Sequence, residues 1–152
     1  MSFWVYKCNA KEHPNHVCSG DWDAVFSRSG SRRWGTTEDI PAFRNLNKGD
    51  LVIAYQTDRN ELVGLVEVVK MKKRGQFLDV IVQPVEEVRV KLRPLKGIDA
   101  RVAALSIFKQ GNEGTVYPVS TTDAWHLMNV AKAQSLMNRV ASPKRRSRSN
   151  SA

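Results

Sequence analysis

Four tryptophans, Trp4, Trp22, Trp34 and Trp125, are the first residues in this 152-residue chain whose type suggests a chemistry. An indole does no proton chemistry at neutral pH; it offers a broad apolar face and one N–H donor. Faces of this kind hold a planar, uncharged ring by stacking, and neighbouring polar atoms read its edge. The same side chain is also a common core filler, and Trp4 on a strand and Trp125 on a helix are expected there. Other chemistries find less support. Cys8, His13, His16 and Cys18 spell C-x4-H-x2-H-x-C, a spacing that fits no common zinc module, with Cys8 on a strand and the rest on a polar loop. No metal or cofactor is therefore expected. The sequence has no glycine-rich phosphate loop, Gly-x-Ser-x-Gly elbow, deaminase signature or metal-binding carboxylate cluster. Glu86 and Glu87 are adjacent on a strand and point to opposite faces, so they cannot act as a pair. A binding module is expected rather than an enzyme, and His126, beside Trp125, is read as structural.

Charge gives the next constraint. The formal net charge is +9, and Lys144, Arg145, Arg146 and Arg148 supply four of the positive charges, leaving +5 on the body. With a pI near 9.9, the chain attracts polyanions, chiefly through phosphate contacts and counterion release. Ser27 to Arg33 (SRSGSRR) reads as a mobile basic loop, and Met71 to Gly75 (MKKRG) as a basic turn. Arg28, Arg32, Arg33, Lys72, Lys73 and Arg74 are the residues placed to hold a nucleic-acid backbone; a solvated loop accounts for Ser27 to Arg33 equally well. No apolar run approaches the length of a bilayer span and the N-terminus carries no cleavable signal, so a soluble cytoplasmic protein without a membrane partner is expected. Cys8 and Cys18 are expected as free thiols, with one bridge between them left open.

The elements that position these residues follow from periodicity. Phe3 to Cys8 alternates as a strand. Asn9 to Gly20 is a polar loop, and Asp21 to Phe26 a helical turn with Trp22, Val25 and Phe26 on one face. A helix start is expected at Thr37 or Glu38, and Lys48-Gly49-Asp50 is a turn. Leu51 to Tyr55 and Leu62 to Val69 form a hairpin, with Gly64 marking a bulge or a close approach. Phe77 to Val82 and Val85 to Leu92 are two further strands, the second bracketed by Pro84 and Pro94. A short helix over Ile98 to Leu105 turns Ile98, Val102 and Leu105 inward, and Thr115 to Val119 is a last strand. Thr121-Thr122-Asp123 caps a helix carrying Trp125, Leu127, Met128, Ala131, Leu136 and Met137. One domain over residues 1–140 and a disordered basic tail over 141–152 are expected.

The order Trp34-Gly35, Arg44-Asn45, Asn47-Lys48-Gly49-Asp50, Tyr55-Gln56-Thr57 and Leu62-Val63-Gly64-Leu65-Val66-Glu67-Val68 resembles the EVE domain, a PUA-like family related to YTH domains. The resemblance covers about the first 130 residues. It implies an α+β fold, a PUA-like mixed β pseudo-barrel of about five to six strands with flanking helices. It also implies one aromatic pocket that takes a modified base turned out of its strand, most plausibly 5-methylcytosine or 5-hydroxymethylcytosine in DNA. Trp34-Gly35-Thr36-Thr37 is similar to the YTH segment that forms one cage wall, and Tyr55 is the second wall expected. Lys7-Cys8-Asn9-Ala10 resembles the segment facing the base edge, which makes Asn9 the reader and the Cys8 backbone its helper. Trp22 is left between core and opposite wall. The implied partner is nucleic acid, DNA favoured over RNA, with a nuclease or other effector supplied in trans. The alternatives are a reader of modified RNA, a small nucleotide-acting enzyme, and a basic protein that binds acidic partners.

Overall fold

The computed structural model describes residues 1–8, 22–27, 30–105, 108 and 116–141. Along the chain come β1 (Phe3–Cys8), α1 (Trp22–Phe26), β2 (Arg32–Thr36), a 3-10 turn (Pro41–Asn45), β3 (Leu51–Gln56) and a second 3-10 turn (Thr57–Arg59). The long strands β4 (Glu61–Arg74) and β5 (Phe77–Lys91) follow, then α2 (Leu92–Ile98), α3 (Ala100–Ala104), β6 (Val116–Val119) and α4 (Thr121–Val140). The strands form one mixed sheet in the order β2-β5-β4-β3-β1-β6. Only β1 and β3 pair in parallel; every other neighbouring pair is antiparallel. This is an α+β fold with an open mixed sheet, in keeping with a PUA-like pseudo-barrel.

Both faces of the central strands are buried, which is why β3 reads as an uninterrupted apolar run. Val52 and Ala54 turn to one core with Tyr6, Trp22, Trp34 and Phe43. Ile53 and Tyr55 turn to a second core with Phe3, Leu62, Leu95 and the α4 residues Ala124, Leu127, Met128 and Ala131. Polar ties fix the strand entries. Asp50, buried before β3, accepts from the Ser2 and Asn47 N–H groups and from Trp4 Nε1 at 2.8–3.0 Å. Gly49 adopts φ +92, a turn conformation that favours glycine, and its N–H donates to the Val68 carbonyl at 2.7 Å. Asn60, at φ +51, donates to the Tyr55 hydroxyl and accepts from the Arg93 N–H.

Gly64 marks a close approach, as expected. A Cβ built there would strike the Glu86 carbonyl oxygen and lie 2.7 Å from Phe26 Cζ. Several other expectations need correction. Arg32 and Arg33 belong to a strand rather than a loop, and a 3-10 turn replaces the helix expected after Thr37. The basic turn at Met71 is the end of β4. Pro84 does not divide β5, because it sits opposite Val66 beside a register shift, where a missing N–H costs no regular ladder bond. The helix expected over Ile98 to Leu105 is two short ones, and Ile98 is exposed. The cap of α4 is the Ser120 hydroxyl, which accepts from the Asp123 N–H. Trp125 lies one position off the buried α4 stripe and is 57% exposed, with an edge contact to Phe3. No helix among the described residues is long and apolar enough to cross a membrane.

Candidate aromatic site

Trp34 is the extra residue of a β-bulge. Arg33 pairs with Ile81 and Gly35 with Val80, so no residue of β5 opposes the tryptophan between them. Bulges re-aim side chains, and this one sends Trp34 into the first core. There its ring centroid lies 4.6 Å from Phe43, 4.8 Å from Tyr6 and 5.1 Å from Trp22. The Phe43 and Trp22 planes are tilted to it by 32° and 37°, while Tyr6 meets it edge-on at 84°. Tyr6 also stands edge-on to Trp22 at 5.9 Å.

The indole N–H groups of Trp22 and Trp34 are both buried, and neither has a hydrogen-bond partner among the described residues. The side chains are 1% and 5% exposed. A buried donor left unpaired costs about 1–3 kcal/mol, and two in one aromatic cluster are an exception that calls for an explanation. The box is closed on itself. A ring sandwiched between two others needs about 7 Å, twice the ~3.5 Å contact distance, and the Trp22 and Trp34 centroids are 5.1 Å apart. The site can stack a ring and donate hydrogen bonds to it.

Trp22 therefore sits beside Trp34, whereas Tyr55 does not join them. Tyr55 packs in the second core, 5.5 Å from Phe108, with its hydroxyl accepting from Asn60. The pocket expected from Trp34, Tyr55 and Asn9 is corrected in its second wall, because odd and even positions of β3 point to opposite faces. Gly35 is buried in the β2–β5 ladder. Thr36 Oγ1 accepts from Arg74 Nη2 at 3.1 Å and from the Glu38 N–H at 3.3 Å. Thr37 Oγ1 accepts from the Leu78 N–H at 2.9 Å. These hydrogen bonds brace the chain beside the Trp34 bulge. Cys8 closes β1 opposite Gln56; its side chain, Asn9 and Arg28 lie outside the described residues, as do His13, His16 and Cys18. Among the described residues no group of histidine, cysteine and carboxylate side chains is placed to hold a metal ion.

Sequence reasoning missed Tyr6 and Phe43 as parts of the box. Tyr6 alternates with Val5 as any strand residue does, and Phe43 rides a Pro-Ala-Phe turn whose direction is set by tertiary contacts.

The basic residues divide between the two sides of the sheet. Arg33 and Arg74 converge on Asp79, at 3.6 and 3.2 Å, and Arg74 also reaches Glu38 at 3.1 Å. Burial alone would push the Asp79 carboxyl up, but hydrogen bonds from Arg74 and Thr36 and the charges of Arg33 and Arg74 hold it below the usual carboxylate range. Hydrogen bonds to Glu38 and Asp79 hold the Arg74 guanidinium still more firmly protonated. A second polar contact braces the helices. His126 Nε2 meets Asp99 at 2.9 Å, and that contact is the main cause of a lowered Asp99 carboxyl. His126 is thus placed as a brace between α4 and the cap of α3.

An open mixed sheet with an aromatic box on one face and helices on the other defines a fold class, and solved structures share it. No family model and no curated protein matches the chain. Rpa0253 from Rhodopseudomonas palustris superposes with a TM-score of 0.62 at 20% identity, covering 87% of this chain and 92% of its own. A hypothetical protein from Leishmania major gives 0.62 at 19% identity, covering 88% and 96%. The Pho92 YTH domain in complex with m6A gives 0.50 at 14% identity, covering 86% of each chain. At these identities the likeness is one of fold, and the fold is YTH/PUA-like.

Proposed function

We propose that this chain is an EVE-type reader that binds nucleic acid and accepts a flipped modified base at the Trp22–Trp34 box. The observation that carries the reading is the pair of buried indole N–H donors that find no partner among the described residues. A base entering there supplies ring nitrogen or carbonyl acceptors to donors that otherwise lose hydrogen bonds on folding. A net charge of +9 provides the attraction to phosphate. Among the described residues the box offers aromatic faces, two indole donors and the Tyr6 phenol, a lining suited to holding a base, with any nuclease or other effector acting in trans. Methylated or hydroxymethylated cytosine in DNA remains the favoured ligand. A second reading, N6-methyladenine, draws on the likeness in fold to a YTH domain in complex with m6A.

The test is fluorescence anisotropy at fixed salt with matched DNA and RNA oligonucleotides, unmodified or carrying 5-methylcytosine, 5-hydroxymethylcytosine or N6-methyladenine. Trp34→Ala would remove a buried core ring at a cost of about 3–5 kcal/mol, so Trp34→Phe and Trp22→Phe are the informative variants. A several-fold preference for one modification, lost in either phenylalanine variant while unmodified strands bind as before, is the expected result. Equal binding of all strands by the wild-type protein would sink the reader assignment.

A further inference from the structure

Residues directly opposite in a ladder share a face, and the register separates the cations of β2 and β4 into two sets. Arg32 and Val68 both pair with Val82, and Val82 and Val68 belong to the core that holds the box. Arg33 and Lys70 both pair with Ile81, Thr36 and Lys72 both pair with Asp79, and Arg74 pairs with Phe77. These residues therefore lie on the opposite face. The Arg33–Asp79 and Arg74–Asp79 contacts agree with that placement. Over the first half of β4 this face is covered: Leu62 and Leu65 pack in the core shared with α4. Over the second half it is bare, and Lys70, Lys72, Arg33 and Arg74 are exposed.

A bare strand face needs only polar residues to be soluble, and like charges at neighbouring positions repel. Here Lys70, Lys72 and Arg74 follow one another at every second residue, about 7 Å apart, close to the spacing of successive phosphates in an extended strand. Two carboxylates stand among them, and both pair with arginines rather than lysines: Glu38 meets Arg74 at 3.1 Å. Asp79 is only 7% exposed and is engaged by Arg33, Arg74 and Thr36, an arrangement that holds both guanidinium groups in place. Arg74 also rests on the Phe77 ring, 5.8 Å from its centroid. Lys70 and Lys72 make no ion pair among the described residues.

We propose that this outer face of the β2–β5–β4 corner is a second nucleic-acid surface, separate from the aromatic box, on which Lys70, Lys72, Arg33 and Arg74 grip a phosphate backbone. It rests on the nucleic-acid part of the proposed function but not on the modified base. It binds without regard to sequence or modification, and because it lies across the sheet from Trp34 it engages a different segment from the one that delivers a base to the box.

The experiment measures binding of unmodified and modified oligonucleotides between 50 and 300 mM salt, for wild type and Lys70→Gln/Lys72→Gln. A charge-matched control, Lys48→Gln/Lys96→Gln, and Trp34→Phe complete the set. Each lost phosphate contact removes about 0.7–0.9 from the slope of log K against log salt. The Lys70/Lys72 variant is expected to lose about 1.5 from that slope, to weaken all strands alike, and to keep the ratio of modified to unmodified binding. Trp34→Phe is expected to do the reverse. A wild-type slope in the Lys70/Lys72 variant, an equal loss in the Lys48/Lys96 control, or no salt-dependent binding at all would overturn the proposal. A reduced slope in a protein that shows no base preference would leave this surface standing and remove the reader assignment alone.

Discussion

At the scale of single residues, Gly64 is the position where one methyl group does most harm. Its ladder neighbour is so close that an added Cβ strikes the Glu86 carbonyl oxygen, and Phe26 bars the other direction. The carbonyl is backbone and cannot swing away, so Gly64→Ala forces β4 from β5 or α1 from the sheet. A loss of about 3 kcal/mol is expected, read as a fall in the urea midpoint with an unchanged m-value. The glycine announced this constraint in the sequence, because a residue without a side chain inside an apolar strand has few other uses. Tyr55 announced nothing comparable. Its type suits a pocket wall, but whether it shares a face with Trp34 depends on register, and a shift of one residue exchanges every face. Trp22 lay on a helical turn whose docking is set by Tyr6 and Trp34, residues distant in sequence.

Among the elements, β2 depends most on electrostatics. It is five residues long, pairs only with β5, and is tied at its end by Thr36, Thr37, Arg33, Arg74 and Asp79. The Asp79 carboxyl is lowered in the fold, so the folded state binds fewer protons than an unfolded chain, whose aspartates titrate near 3.9. The stabilisation is present in full above that value and is lost as pH falls through the lower, folded one. Asp79→Asn is expected to melt about 4 °C below wild type at pH 7. The two melting curves converge as the pH drops below about 4; a gap that persists at pH 2 would assign the loss to packing instead. Strand β2 was illegible in the sequence for the same reason that it needs these ties, since SRSGSRRWGT has little apolar periodicity. By contrast, the alternation of Phe3–Cys8 and the spacing of Leu127, Met128 and Ala131 carried β1 and α4 directly, although Trp125, Leu136 and Met137, read on the same stripe, are exposed. Strand β5 was read as two because proline is a strong break signal, and only the bulge beside Val66 shows why the ladder tolerates Pro84.

For the whole molecule, one core supports the sheet and the other holds the proposed base-binding box. The core under α4 contains none of the box and anchors the sheet, while α1, five residues long, contributes one wall of the box through Trp22. Just past β2 the chain is held on β5 by backbone and hydroxyl bonds at Thr37, so Trp22, on the short α1, is the wall expected to move. Admitting a ring requires the 5.1 Å separation of these two indoles to widen to about 7 Å. The closed box thus competes with the ligand, and apparent affinity is reduced by the fraction of molecules that are open. Stopped-flow tryptophan fluorescence with the preferred modified oligonucleotide is expected to give an observed rate that rises and then saturates at the opening rate. Hydrogen exchange is expected to gain protection in α1 on binding, with α4 unchanged. A rate linear in oligonucleotide to the highest concentration, with no change at α1, would mean that the ring stacks on the box from outside and that the Trp22–Trp34 contact is permanent core.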